Sequence, residues 1–276
     1  VLSTEEPWRI AYGSPAPIGG GLQAILTSGA NDEYQHLVIV YNCRPSQSID
    51  EVYIEGVPVG AIDGSGWVTG GAFYEAQADA TASELVTFDG SGVGTVSRTV
   101  VSLLGAFLRT GGWDDGGTIE YPATASGATI TAPTAAGLSV WVSYTHAYGI
   151  ARVNVQKHLS PGGVDTADAF LMAAVPDKWT AAHKASGFTY LVVTLDLRFG
   201  AFQGGPPNIT AKGQWSLLYD YRTATTAYSA NAALCAADFL RAEYGFAATA
   251  GQIDTAAAMA AANDCDSQGF EAHGVI

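Results

Sequence analysis

Short runs of alternating or continuous apolar residues, separated by glycine-rich turns, set the pattern of this chain. Leu22-Gln-Ala-Ile-Leu26 follows Gly19-Gly-Gly21 and reads as a strand. Ser28-Gly-Ala-Asn-Asp32 is a turn signal before Tyr34-Gln-His-Leu-Val-Ile-Val-Tyr41, an almost unbroken apolar run expected of a strand covered on both faces. In Glu51-Val-Tyr-Ile-Glu55, Val52 and Ile54 fall on one face and Glu51, Tyr53 and Glu55 on the other. Residues 22–59 are thus predicted to form a small antiparallel meander that joins a larger sheet, because a lone hairpin is marginal.

Residues 60–150 are rich in Gly, Ala, Ser and Thr and sparse in charge. Val96, Val100, Leu103, Leu104, Phe107 and Leu108 fall at helical spacing, with Thr95 as a candidate N-cap and Gly111 just past the end. The pattern predicts an amphipathic helix over 96–109; a β-branched strand through Thr99-Val-Val101 competes with it. Residues 129–131 and Leu138-Ser-Val-Trp-Val-Ser-Tyr144 read as strands, Val140 and Val142 sharing a face. Val, Phe and Trp are too frequent for a linker, so 60–150 is read as an inserted β-rich subdomain.

Alternation returns in Ala151-Arg-Val-Asn-Val-Gln-Lys157. A short apolar piece spans 168–174 and stops before Pro176. Phe188-Thr-Tyr-Leu-Val-Val-Thr-Leu-Asp-Leu197 is the strongest strand of the sequence and is expected at a sheet centre. Pro206-Pro207 interrupts the pattern, and residues 209–218 resume it. The last stretch is helical: Asn231 is expected to cap a helix through Arg241, with Leu234, Ala237, Leu240 and Tyr244 as its apolar stripe and Gly245 as a left-handed stop. Asp254 is expected to cap a second helix to Cys265, rich in Ala and with Met259 buried. The chain has no initiator Met, and 271–276 close no recognisable element, so a longer chain is expected.

These elements define a mainly β protein with some α (α+β), in four stretches: 1–59, 60–150, 151–228 and 229–276. Composition agrees: 33 of 276 residues are Gly, apolar residues make up 48%, and charged residues only 14%, which excludes a disordered acidic chain. Lys plus Arg is 12 against 26 Asp plus Glu, a net charge of −14, which argues against binding nucleic acid through phosphate neutralisation. No apolar run approaches a membrane span, and the first residues lack the basic region of a signal peptide.

Little in the sequence points to chemistry. Cys43, Cys235 and Cys265 cannot all pair within one chain and are read as reduced thiols; their number excludes a disulfide framework and a four-cysteine zinc site. Gly90-Ser-Gly-Val-Gly94 misses the G-x-G-x-x-G spacing and carries no Lys, so it reads as a glycine turn. Trp113-Asp-Asp-Gly-Gly117 lacks the alternating ligands of a calcium loop. Asp264 and Asp266 flank Cys265 without sharing a face. His36, His146, His158, His183 and His273 are scattered, and Ala185-Ser-Gly187 is not a G-x-S-x-G elbow. No catalytic, cofactor-binding or metal-ligating residue is assigned, no cofactor is expected, and the chain is not read as an enzyme.

Several motifs in fixed order carry a resemblance. They are Trp8-Arg-Ile-Ala-Tyr-Gly13, Gly19-Gly-Gly21, Tyr34-Gln-His-Leu-Val-Ile-Val40, Ile49-Asp-Glu-Val-Tyr-Ile54, Lys157-His-Leu159, Trp179 and Gly187-Phe-Thr-Tyr-Leu191. The most telling run is Tyr219-Asp-Tyr-Arg-Thr-Ala-Thr-Thr-Ala-Tyr-Ser-Ala-Asn-Ala-Ala-Leu-Cys235. Asp238-Phe-Leu240, Tyr244-Gly245, Ile253-Asp254 and Ala260-Ala-Ala-Asn-Asp-Cys-Asp266 continue it. This order resembles the N-terminal half of the central tail hub, the tip attachment protein J-like family of long-tailed bacteriophages and gene transfer agents. The similarity is weakest in 60–150. Ala232 stands where that family commonly has Pro, a change that keeps the helix.

The resemblance implies β-barrel- or sandwich-like hub domains, an inserted subdomain and C-terminal helices leading to a downstream region. It implies a structural role in the virion, at the tail tip, after assembly in the host cytoplasm. Three copies would form a ring closing the distal tail tube, in contact with tube and other tip proteins. Genomic DNA would pass without specific binding, and this segment would touch no membrane. Strand 34–41 is expected to offer an edge to partner chains. Part of the −14 charge is expected to face the channel, where like charge releases DNA; solubility is the competing reason. The alternative function is a polysaccharide-binding or -cleaving β-protein, suggested by 6 Trp and 13 Tyr.

Overall fold

The computed structural model describes residues 9–110, 117–243 and 245–276. The chain divides into two compact units, one of residues 1–74 with 151–276 and the other of residues 75–150. Residues 60–74, grouped by composition with the intervening stretch, belong to the first unit, where Val68 and Phe73 enter its core.

The first unit begins with β1 (Ala11–Tyr12), β2 (Ile18–Gly19), β3 (Gly21–Ser28), β4 (Tyr34–Asn42), β5 (Ser46–Ile54) and β6 (Val57–Pro58). The second contains β7 (Tyr74–Thr87), β8 (Val93–Thr95), β9 (Val100–Thr110), β10 (Gly117–Tyr121), β11 (Thr124–Ser126), β12 (Thr129–Thr131) and β13 (Ser139–Ala151). The first unit resumes with β14 (Val153–His158), α1 (Ala169–Ala174), β15 (Thr189–Asp196), β16 (Ile209–Asp220) and β17 (Thr225–Tyr228). It ends with α2 (Ala232–Arg241), α3 (Thr255–Gln268) and β18 (Gly274–Val275). Among the described residues strand predominates over helix, with three α-helices.

In the first unit one sheet runs β14-β15-β4-β3 and a second runs β17-β16-β5-β6, with β2 also on β16. β4 pairs on both sides and is no edge, so it has no free backbone row to offer a partner chain. The expected meander breaks after β4: β5 pairs with β16, a strand more than 150 residues later. Asn42 fastens the break. Its fully buried amide donates to Ser46 Oγ and Ser216 Oγ, both at 3.1 Å, and its Oδ1 accepts from Ala11 N.

Both faces of the first sheet are covered. Leu37, Ile39, Val153, Val155, Leu191, Val193 and Leu195 point into a core shared with Ile49, Val52, Ile54, Ala211 and Trp215 of the second sheet. Tyr41 stacks on Trp215 within it, centroids 6.0 Å apart. On the other face Val38, Tyr190 and Val192 pack under α1 through Leu171. This double cover explains why every residue of β15 is buried.

α2 starts at Asn231, whose Oδ1 accepts from Ala233 N and Leu234 N. Leu234, Cys235 and Ala237 face the core, whereas Leu240 of the expected stripe is 39% exposed; Tyr244 lies outside the described residues. The helix ends on extended Ala242, not on a left-handed glycine. Gly245 is required by close approach instead, since a Cβ there would sit 2.0 Å from Phe239 O. α3 runs three residues past Cys265, and Ala262, not the half-buried Met259, is its buried contact. The terminal segment does close an element: β18 pairs antiparallel with β1.

In the second unit the sheet β10-β9-β13-β7 and the three-stranded sheet β11-β12-β8 share a core of Val86, Phe88, Ile130, Val140, Val142 and Tyr144. The helix expected over 96–109 is the strand β9. Two register shifts against β13, at Ser143/Tyr144 and Thr145/His146, leave Leu104 and Val101 as extra residues. Inward positions therefore become Val100, Leu103, Ala106 and Leu108, a bulged spacing that imitates a helical period. Gly111, its expected stop, lies outside the described residues.

Candidate functional site

A partly buried polar cluster of the first unit surrounds His158, the last residue of β14. Beyond it the chain turns sharply. Ser160, Gly162 and Gly163 take φ of 47°, 67° and 78°, all left-handed, so the segment doubles back over the strand end. This return brings Asp165 Oδ2 to 2.9 Å from His158 Nδ1 and Asp168 Oδ2 to 2.8 Å from Nε2. Asp168 is also the N-cap of α1, its Oδ1 accepting from Leu171 N at 2.6 Å. Tyr190, the cross-strand partner of His158, stacks on the imidazole at 4.2 Å between centroids and 6° between planes.

Burial alone would push the His158 pKa down, but the hydrogen bonds and charges of the two carboxylates outweigh it, and the net direction is upward. Burial, helped by the same carboxylates, raises the Tyr190 phenol. An open cleft of about 430 Å³ adjoins this cluster, lined by Ser46, Gln47, Lys157, Pro161, Asp165 and Leu217. Lys157 donates to Ile49 O at 2.7 Å, and burial lowers its pKa.

His36 is a contrasting site on the same sheet face. Its ring nitrogens meet the hydroxyls of Thr194 and Ser28, each at 2.8 Å. Hydroxyls can donate or accept, so a neutral imidazole is satisfied there. Burial pushes its pKa down to about 4.

A third cluster gathers the run 219–266. Arg222 donates to Asp220 at 2.7 Å, to Asp266 at 2.5 Å and to Asn263 at 3.2 Å. Asn231 Nδ2 donates to Ala262 O and to Asp266 Oδ1. The end of β16 and the two C-terminal helices are thereby tied into one module. Beside it Asp238 accepts from Tyr12 at 2.7 Å and pairs with Arg44.

The other residues weighed in the sequence sit apart from these clusters. Cys43, Cys235 and Cys265 are free thiols; burial pushes Cys235 up to about 12 and raises Cys43. In Gly90-Ser-Gly-Val-Gly94 the first three residues turn and the last two begin β8, with Asp89 accepting from Ser91 N and Val93 N. The carboxylates of Trp113-Asp-Asp-Gly-Gly117 lie outside the described residues. Asp264 and Asp266 diverge, the latter to Arg222. His146 meets Arg98, His183 stacks on Trp179, and His273 pairs with Glu271. Ser186 lies against the backbone of Asp165. Among the described residues, no group of three His, Cys, Asp or Glu is placed to hold a metal ion. Among them too, no helix is long and apolar enough to cross a membrane.

The His158 cluster carries no sequence motif, because spacings of seven and ten match none. The available signal was Ser160-Pro-Gly-Gly163, a turn strong enough to fold the acidic residues back. No protein-family model matches the chain, and no curated protein matches it.

Proposed function

We propose that the chain is a structural part of a bacteriophage tail tip, three copies forming a ring around an open bore at the distal end of the tail tube. The observation that carries this reading is the run 219–266, the richest part of the resemblance. Its Asp220, Arg222, Asn231, Asn263 and Asp266 converge into one bonded module. In this reading the two sheets around a common core correspond to a barrel-like hub domain, and residues 75–150 to the inserted subdomain. A cyclic trimer needs a heterologous interface that closes on itself. Exposed apolar side chains are available for one: Phe246 is 73% and Phe270 62% exposed. Tube and other tip proteins would flank the ring, and DNA would pass a wall of carboxylates without being held. Native mass measurement tests the reading; a species of three times the mass of the polypeptide is expected, and a strictly monomeric one would contradict it.

One observation favours binding of polysaccharide as a second reading. On the outer face of the second unit's sheet, Trp141 is 44% exposed. Hydroxyl pairs flank it along β7 and β13, Ser83 with Ser143 at 2.6 Å and Thr87 with Ser139 at 2.8 Å. An aromatic ring between hydroxyls suits the apolar face and polar rim of a sugar. Retention of the chain on a polysaccharide column, lost on Trp141→Ala, would support it.

A further inference from the structure

His158 is bonded on both ring nitrogens by oxygens that only accept. A neutral imidazole has one N–H, so it can satisfy one carboxylate and must turn a lone pair toward the other. The arrangement in the structure is complete only with two ring protons. It contrasts with His36, whose hydroxyl partners satisfy a neutral ring.

We propose that residues 159–168 form a pH-dependent strap along the cleft, closed over doubly protonated His158 and released at Asp165 when one ring proton is lost. The two carboxylates are unequal. Asp168 is 3% exposed and fixed from the other side by its cap bond to Leu171 N, so Nε2–H stays with it. Asp165 is held by Nδ1, by Ser186 Oγ, which accepts from its N–H at 3.2 Å and donates to its carbonyl at 3.4 Å, and by a local bond from Thr166 N. Loss of the Nδ1 proton places a lone pair and a carboxylate oxygen face to face at 2.9 Å. Gly162 and Gly163 supply the hinge and Val164 between hinge and latch is 68% exposed, whereas Ser160 and Ala167 are buried on either side, so opening is confined to residues 162–166. Asp165 and Pro161 line the cleft, which release of the strap would widen.

Every charged neighbour acts in a defined direction. Asp165 and Asp168 from the strap favour the imidazolium, and Tyr190 from β15 stacks on it. His36 from β4 feels Asp168 but stays neutral above about pH 4. Lys157 on the same strand points away to Ile49 O, with Asp50 of β5 as its electrostatic partner. With the folded pKa raised, the clasp is complete below the unfolded value and is lost as pH rises through the folded one.

Amide hydrogen exchange on the whole chain, corrected for intrinsic rates, tests the strap. Protection of residues 162–166 should fall by about tenfold or more between about pH 6 and about pH 9, while Ala167 and β15 stay protected. His158 ring resonances should titrate in step with this loss of protection. Asp165→Asn can donate to or accept from Nδ1, so its strap should lose the pH response. Equal protection of the native strap at both pH values would overturn the proposal. So would opening with His158 in one protonation state, or an Asp165→Asn strap that keeps the native response.

Discussion

Asn231 Nδ2 lies 2.7 Å from Asp266 Oδ1, so the cap of one C-terminal helix is hydrogen-bonded to the last turns of the other. The same side chain donates to Ala262 O at 2.8 Å and caps α2 through its Oδ1. One buried amide thus satisfies two of the orphan N–H groups of α2 and locks α3 across it. Asn231→Ala should cost about 2 to 3 kcal/mol, combining a lost cap with unpaired buried groups. Asn231→Asp keeps the cap oxygen but sets a carboxylate against Asp266 and should also destabilise. Chemical denaturation of both variants checks this order.

Acid should destabilise the protein through His36. Its folded pKa is depressed to about 4, so its stabilising effect is full above the unfolded value near 6.5 and is lost as pH falls toward 4. The size is roughly 3 kcal/mol. His158 acts with the opposite sign, losing its contribution as pH rises through its raised value. Stability measured by denaturation against pH should decline on both sides, and His36→Gln should flatten the acid limb.

Gly213 sits at the register shift between β16 and β5, where a Cβ would lie 2.2 Å from Ser48 O and 3.0 Å from Ile49 Cα. Both obstacles are backbone, so neither can swing aside. Gly213→Ala should cost about 1 to 3 kcal/mol, read as a lower denaturation midpoint.

How far the fold was legible depended on whether cause and effect lay close in sequence. β15 announced itself because both its faces are buried, leaving no polar alternation in Tyr190-Leu-Val-Val193. The caps Asn231 and Asp254 were equally local. β9 was not legible, since its two bulges rearranged the inward positions into a helix-like spacing. The departure of β5 from its neighbour was settled by β16, far along the chain, and no local pattern encodes that choice. The His158 cluster depended on a left-handed turn at Ser160, whose outcome is a matter of three dimensions. The module of Arg222, Asn231 and Asp266 lay within the sequence run already singled out, but its mutual bonding did not.

Trp141 discriminates between the two functional readings. Its side chain is 44% exposed and lies on the outer face of the sheet, so Trp141→Ala should change stability by less than about 1 kcal/mol. Under the tail-tip reading the variant should bind no polysaccharide and neither should the native chain. Side-by-side retention measurements check both halves of this expectation.

Cryo-electron microscopy of the native particle that carries this chain tests the central claim most directly. Three copies related by a three-fold axis around an open channel, with Asp and Glu on the channel wall, are the expected result. A solitary copy, or a closed assembly with no axial passage, would contradict the account.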